Sequence, residues 1–419
     1  MKYVLLLLLL SSLLFSEELE KPEEDSEDVS GLVQVKDTSG LSDAAVRKKA
    51  EAKDSENSKK VSLEKIYEVA NPDGTVDVKK LQALWEDQSP TPKKYDWVQT
   101  KSGEWFKGDI KAMFNEELDF DSDEIGLYSF DFDDVKQIKS FHTVSVNIDG
   151  VASFTGIIRM KDDTITIIQG DKEFTFPVEQ IISFAHKGES TLDYWSGKGS
   201  LNLDQQKGNT DQKDYTANFK LQRRTATTRL ALKYTGNVSY VNHEETKNNH
   251  RINAIFDVFI SKQLFYTPIY AEYYKNSYQN IASQFTASIG IGYKFIDTKD
   301  IDWEISTGPG VIRTKYDTIY HGESSDTVTS AALQTRTNLE VEITDDLTFL
   351  WDHQFAITDK NSGYYKHHMT TTLEVDITDA FSLDFSYVWD HLSRPERDST
   401  GETPYKDDYR TLMGFGIDF

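Results

Sequence analysis

His353 stands between Asp352 and Gln354, and a histidine held by a carboxylate is the centre of a hydrolytic relay in which it activates a nucleophile on its own face. The surrounding run, LTFLWDHQFAI, alternates in polarity, so His353 shares a side with Phe349, Trp351 and Phe355 while Asp352 and Gln354 point away. A hydrolase built on this histidine is therefore the weakest reading, and no catalytic residue is assigned. Metal ligation fares no better. His367 and His368 are adjacent on a strand and point to opposite faces, and His243 and His250 sit in a polar stretch. Neither a metal nor a cofactor is expected. The richer set is ionic. Lys220, Arg229, Lys233, Asp257, Glu304, Glu340, Glu342, Glu374, Asp376, Asp384 and Arg410 fall on one face of successive alternating runs, opposite an apolar face.

Those charges need elements to carry them. In AFSLDFSYVWD, Phe381, Leu383, Phe385, Tyr387 and Trp389 point one way and Ser382, Asp384, Ser386 and Asp390 the other. TLEVDIT, NLEVEIT and LTFLWDHQFAI repeat the pattern. Counting back from Phe419 predicts twelve strands, starting near 407, 380, 363, 345, 328, 301, 281, 264, 248, 227, 213 and 193. Two architectures fit: a soluble sandwich with one wet face, and a membrane barrel with lipid outside and polar groups within. Turn lengths decide between them. IDTKD, EITDD and DITDA are short, whereas NHEETKNN, DTIYHGESSDT, TDKNSGYY and LSRPERDSTGETPYKDD are long and polar. Outer-membrane barrels show this asymmetry, with short periplasmic turns and long outer loops.

A one-residue slip of register would turn Lys220, Arg229, Glu340 or Glu342 toward lipid, at about 2–4 kcal/mol for a basic residue near the midplane. The run LFYTPIYAEYY is aromatic on both faces and cannot be oriented by alternation. The chain ends LMGFGIDF, with Phe415 and Phe419 on the apolar side. A terminal aromatic on an alternating last strand is the feature that outer-membrane barrels present to the barrel-assembly machinery, as a family-level likeness.

Ahead of the barrel, residues 1–16 read as a secretory signal: one Lys, an apolar run too short to span a bilayer as a helix, and Ser16 as a cleavage point, with an uncleaved anchor as the alternative. Residues 17–94 read as an acidic, partly helical spacer. Glu17 to Asp28 hold eight acids and one Lys. NPDGTVDVKK resembles a calcium loop at Asp73, Gly74 and Asp77, but Val69 and Lys80 fall where the first ligand and the closing acid belong, so it is read as a turn. Residues 95–187 contain an echo. VKQIKSF at 135–141 recurs as VEQIISF at 178–184, and FKGDIK and FTGIIR precede the two copies. Two small tandem β modules follow from that, and the even strand count of the barrel puts them on its periplasmic side.

The formal net charge of -24 argues against nucleic acid as a partner, since a surface that tracks its phosphates needs clustered Lys and Arg, and the absence of cysteine excludes a disulfide frame. WSGKGSLNLDQQKGNTD, LQRRTATTRLALKYTGN and ASIGIGYKFIDTKDIDWEISTGPG resemble an uncharacterised bacterial family known as salt-induced outer-membrane proteins. SGEWFKGDI and ELDFDSDEIG are similar to the module that often precedes that barrel. The resemblance implies an outer-membrane β-barrel with no activity, cofactor or catalytic residue to carry over. The expectation is an all-β, non-enzymatic protein of the outer membrane in contact with lipid. Its role is a passive one, permeation of small solutes or ions or envelope maintenance under osmotic stress. The alternative is a filled barrel whose periplasmic modules touch peptidoglycan or a protein partner, and an outer-membrane lipid hydrolase stands third. The oligomeric state stays open.

Overall fold

The computed structural model describes residues 90, 92–122, 124–187, 194–207, 211–319, 325–378 and 380–418. The signal, nearly all of the acidic spacer and Phe419 lie outside the described residues. Those described fold as two β-rings and a few short 3-10 turns.

The first ring is built from the echoed segment. Its first half runs β1 (Asp96–Thr100), β2 (Trp105–Phe114), β3 (Glu117–Ser122), β4 (Gly126–Asp131) and β5 (Val135–Lys139). The second runs β6 (Val144–Ile148), β7 (Ala152–Lys161), β8 (Thr164–Gln169), β9 (Lys172–Pro177) and β10 (Ile181–His186). Within each half the strands pair in the same order, and β1–β5 answers β6–β10. The halves then exchange partners: β5 pairs with β7, and β10 with β2. The circuit β1-β5-β7-β6-β10-β2 therefore closes on β1, and the two repeats are halves of one six-stranded barrel. Its interior is a single apolar core drawn from both, including Ile110, Phe120, Ile138, Val146, Ile158 and Phe184, none more than 2% exposed.

Gly108 and Gly156 explain the shared glycine of FKGDIK and FTGIIR. A Cβ on Gly108 would stand 2.2 Å from the Asp121 carbonyl oxygen, and one on Gly156 2.4 Å from that of Ile168. At these points β2 and β7 each cross closely over their hairpin partner, and only hydrogen leaves room.

The second ring contains twelve strands. They are β11 (Trp195–Gln206), β12 (Gln212–Arg224), β13 (Thr228–Val241), β14 (Glu244–Phe259), β15 (Leu264–Asn276), β16 (Ile281–Asp297), β17 (Ile301–Tyr316), β18 (Thr327–Thr344), β19 (Leu347–Ile357), β20 (Tyr365–Thr378), β21 (Phe381–Leu392) and β22 (Asp407–Asp418). All neighbours are antiparallel and β11 closes on β22. Every strand begins within four residues of its expected start.

Two local features depart from the sequence reading. NHEETKNN is not a long loop, because Asn242 and His243, at φ 51° and 70°, make a two-residue hairpin and the rest is strand β14. In β15 the register shifts between Thr267 and Tyr270, across Pro268. Phe265 and Thr267 face inward before the bulge, and Tyr270, Glu272 and Tyr274 after it. The change of parity at one proline is why both faces of LFYTPIYAEYY read as aromatic.

Candidate functional site

The interior of the large barrel is ionic, and its side chains reach across. Lys233 on β13 places Nζ 2.6 Å from Asp352 Oδ2 on β19. These are the third and ninth strands of the twelve, so the pair spans the full width of the ring. Nearer the long-loop end, Asp390 on β21 accepts hydrogen bonds from Arg251 Nη2 on β14 at 2.8 Å and from Arg410 Nη2 on β22 at 2.6 Å. His368 Nδ1 on β20 lies 2.7 Å from the same carboxylate. Arg251 Nη1 also donates to Glu272 on β15 at 2.8 Å, and Tyr270 donates to Gln354 on β19 at 2.8 Å. Together they form a layer joining one wall to the other. A buried carboxylate holding three cationic or imidazole partners in direct contact is a rigid arrangement, since removal of any partner strands a charge.

Toward the short-turn end, Arg229 bridges Asp257 at 2.8 Å and Glu304 at 2.6 Å, and Thr267 donates to Asp257 at 2.6 Å. Lys198 on β11 meets Glu374 at 2.6 Å and Asp384 at 3.4 Å. Between these pairs and the Asp390 layer lies a chamber of about 330 Å³. A smaller cavity of about 50 Å³ lies against the other face of the layer, and Arg251, Gln354 and His368 line both. Side chains of the layer thus stand between the two cavities.

Eight of the expected charged residues, Lys220, Arg229, Lys233, Asp257, Glu304, Glu340, Glu374 and Asp384, stand in the chamber wall. Arg410 sits in the layer. Glu342 and Asp376 occupy the short-turn ends of β18 and β20, beyond the chamber. Phe415 is 67% exposed on the outer face, and Phe419 lies outside the described residues. Sequence reasoning missed Lys198, Arg251, Glu272 and His368 as interior residues, and it turned Asp352 away from the apolar face without counting it among the lumen charges. Arg251 shares its parity with Asn253 and Asp257 and was open to the alternation argument; Glu272 was hidden by the β15 bulge.

The short-turn mouth meets the small ring. Asn115 and Glu116, at φ 52° and 61°, turn β2 into β3. Asn115 donates to Asp302 at 2.9 Å and accepts from Lys294 at 2.9 Å and Arg224 at 3.3 Å. The Arg224 guanidinium lies 4.3 Å from the Phe114 ring, and Ser183 donates to the Ala226 carbonyl at 2.6 Å. Glu117, just behind the tip, has its carboxyl raised to about 7 by burial and by the nearby carboxylates of Asp119 and Glu342, against the pull of Lys299. Glu116 is raised too, mainly by burial.

Among the described residues, Asp96, Asp109 and His142 are spaced as metal ligands could be. Buried Asp96 already accepts N–H bonds from Phe141 and His142 on one oxygen, at 2.6 and 3.0 Å, and from Ile110 on the other, at 2.8 Å. Its geometry ties the β5–β6 link to β2. On the barrel exterior, His353 and His367 stack with nitrogens 3.1 Å apart, and Trp351, Trp389 and His391 extend the same row. Along that row the imidazoles stack among indole rings on the outer face.

A family model described as "Protein of unknown function, DUF481" matches residues 200–419. The chain belongs to that family. The match covers the large barrel, and its description carries neither an activity nor a link to salt. No curated protein matches the chain. Among solved structures, this member of the family is similar to the NanC porin (12% identity, 54% of this chain and 98% of that one, TM-score 0.32). It is also similar to the translocator domain of the autotransporter NalP from Neisseria meningitidis (11%, 54% and 87%, TM-score 0.31). A third likeness is to the outer membrane protein Omp33 from Acinetobacter baumannii (13%, 54% and 97%, TM-score 0.25).

Proposed function

We propose that this protein is an outer-membrane barrel whose lumen is held shut, and that it serves the envelope by anchoring the small six-stranded barrel in the periplasm. The reading is carried by the ion pairs that cross the ring, above all Lys233–Asp352 and the Asp390 layer. An open pore needs its charges on the walls; here they meet in the middle. The exterior supports immersion in lipid, with Ile289, Ile291, Phe295, Phe385 and Met413 exposed on the outer face. The small barrel docks on the end with short turns, which is the periplasmic end in bacterial outer-membrane barrels. Peptidoglycan or an envelope protein is its proposed partner.

The chamber favours a second reading, in which small solutes or ions enter and the layer acts as a gate. Lys220 and Glu340 are exposed to that space, so a polar solute would meet charges there.

Topology is tested on intact cells. Protease added outside should spare residues 95–187 and cut, if anywhere, in the loop between β21 and β22. Cleavage of the small barrel in intact cells would reverse the orientation and end the periplasmic-anchor reading.

A further inference from the structure

The ladder between β11 and β22 differs from its neighbours. Only Lys198–Asp418, Gly199–Ile417 and Ser200–Gly416 pair across it. The same register continued would join Leu201 to Phe415 and so on to Gln206 and Arg410. Among the described residues none of those pairs forms, although β11 remains fully paired to β12 as far as Gln206 and β22 to β21 as far as Asp407. Glycines stand on both sides, Gly197 and Gly199 on β11 and Gly414 and Gly416 on β22, and they weaken a strand locally. At Gly416 a Cβ would lie 2.7 Å from Cε of Lys198, so the glycine lets that side chain lie along the seam. In hydrocarbon, backbone groups without partners are costly enough that only closed ladders persist, unless polar atoms from elsewhere meet them.

Behind the seam is the chamber. Its wall includes Ser200 from β11, Asn218 and Lys220 from β12 and Gly414 from β22. Of the other chamber cations, Lys198, Arg229, Lys233 and Arg251 are held in ion pairs, and Arg336 donates to Thr267 and lies over the Tyr270 ring. Lys220 and Glu340 instead face the space exposed, and among the described residues neither forms a hydrogen bond or an ion pair. Outside the seam the surface is apolar: Leu201, Phe219 and Phe415 are 66%, 48% and 67% exposed.

We propose that the β11–β22 seam is a lateral entrance for a zwitterionic phospholipid. Its headgroup occupies the chamber, the phosphate on Lys220 and the ammonium on Glu340, while the acyl chains lie against Leu201, Phe219 and Phe415. A lysine and a glutamate that both present free charge to one chamber match a headgroup carrying both charges. A purely anionic headgroup would leave Glu340 opposed to it. The proposal rests on the membrane-barrel reading above.

The full chain, purified in mild detergent, would be titrated with phosphatidylethanolamine or phosphatidylglycerol and the bound lipid counted by native mass spectrometry. One phosphatidylethanolamine should bind in preference to phosphatidylglycerol. Lys220→Gln and Glu340→Gln should each weaken it about tenfold, the worth of one charge-assisted contact, while Lys220→Arg retains it. Equal binding of the two lipids, or binding indifferent to both substitutions, would overturn the headgroup site. In vesicles, amides of residues 201–206 and 410–415 should exchange with deuterium faster than those of the β16–β17 ladder, and equal protection would overturn the open seam. Heat-shifted electrophoretic mobility and vesicle insertion of the same samples report the barrel itself. A folded, inserted barrel without lipid preference defeats this proposal alone.

Discussion

The two barrels of this chain close by the same rule and fill by opposite chemistry. The six-stranded ring is narrow, and packed Ile, Val and Phe occupy its inside while its outside is wet. The twelve-stranded ring is too wide for apolar side chains to meet, so its inside is bridged by long ionic groups and its outside is apolar. Strand number therefore decides which face of an alternating strand becomes the core. In the small barrel a cavity or a bump is the dangerous change; in the large one it is an unpaired charge within or a charge without.

That contrast can be broken in four ways. The largest effect is expected at Asp390. Asp390→Ala leaves Arg251, Arg410 and His368 facing each other in a buried layer, at about 3–5 kcal/mol, seen as a lower urea midpoint for the barrel in vesicles. Next is Ile289→Lys, at the middle of β16 on the outer face, costing about 2–4 kcal/mol in a bilayer. The matching change on the small barrel's attached β3–β4 hairpin, Leu127→Lys, sits at a site 68% exposed and should stay within about 0.5 kcal/mol, so similar losses at the two sites would erase the distinction between the exteriors. Third, Gly108→Ala drives a methyl into the Asp121 carbonyl and should cost the small barrel about 1–3 kcal/mol while leaving heat-modifiability of the large one intact.

The smallest effect is a pH dependence. Glu117 titrates near 7 when folded and at 4.5 as an ordinary carboxyl, so between those values the folded protein holds a proton that the unfolded chain lacks. Stability of the small barrel and its docked tip should rise as pH falls from about 7 to 4.5 and level off below. Glu117→Gln should flatten that slope in thermal melts. An unchanged slope would mean another group carries it.

How much of this was legible beforehand follows from what alternation can and cannot encode. Period two runs clearly through β19, β21 and β22, so their faces and the outward Phe415 were readable. A bulge breaks the period without changing composition, and Pro268 hid the inward Tyr270 and Glu272 that way. Polar residues at the tips of long strands look like loops, as in β14, because beyond the bilayer nothing requires an apolar face. The echo at 95–187 announced two equivalent units, but partner exchange between β5 and β10 is set by which strands meet in three dimensions, and repeats swapped or unswapped carry the same residues. The bridges across the lumen were out of reach for a similar reason: Lys233 and Asp352 are 119 residues apart.

The central claim is that these bridges shut the lumen. Single-channel recording of the full-length protein in planar bilayers tests it directly, beside an Arg251→Ala, Asp390→Ala double variant that removes the layer's main cross-link. The wild type should hold a silent baseline and the double variant should give discrete steps. Steady ohmic steps from the wild type, unchanged in the double variant, would contradict the account.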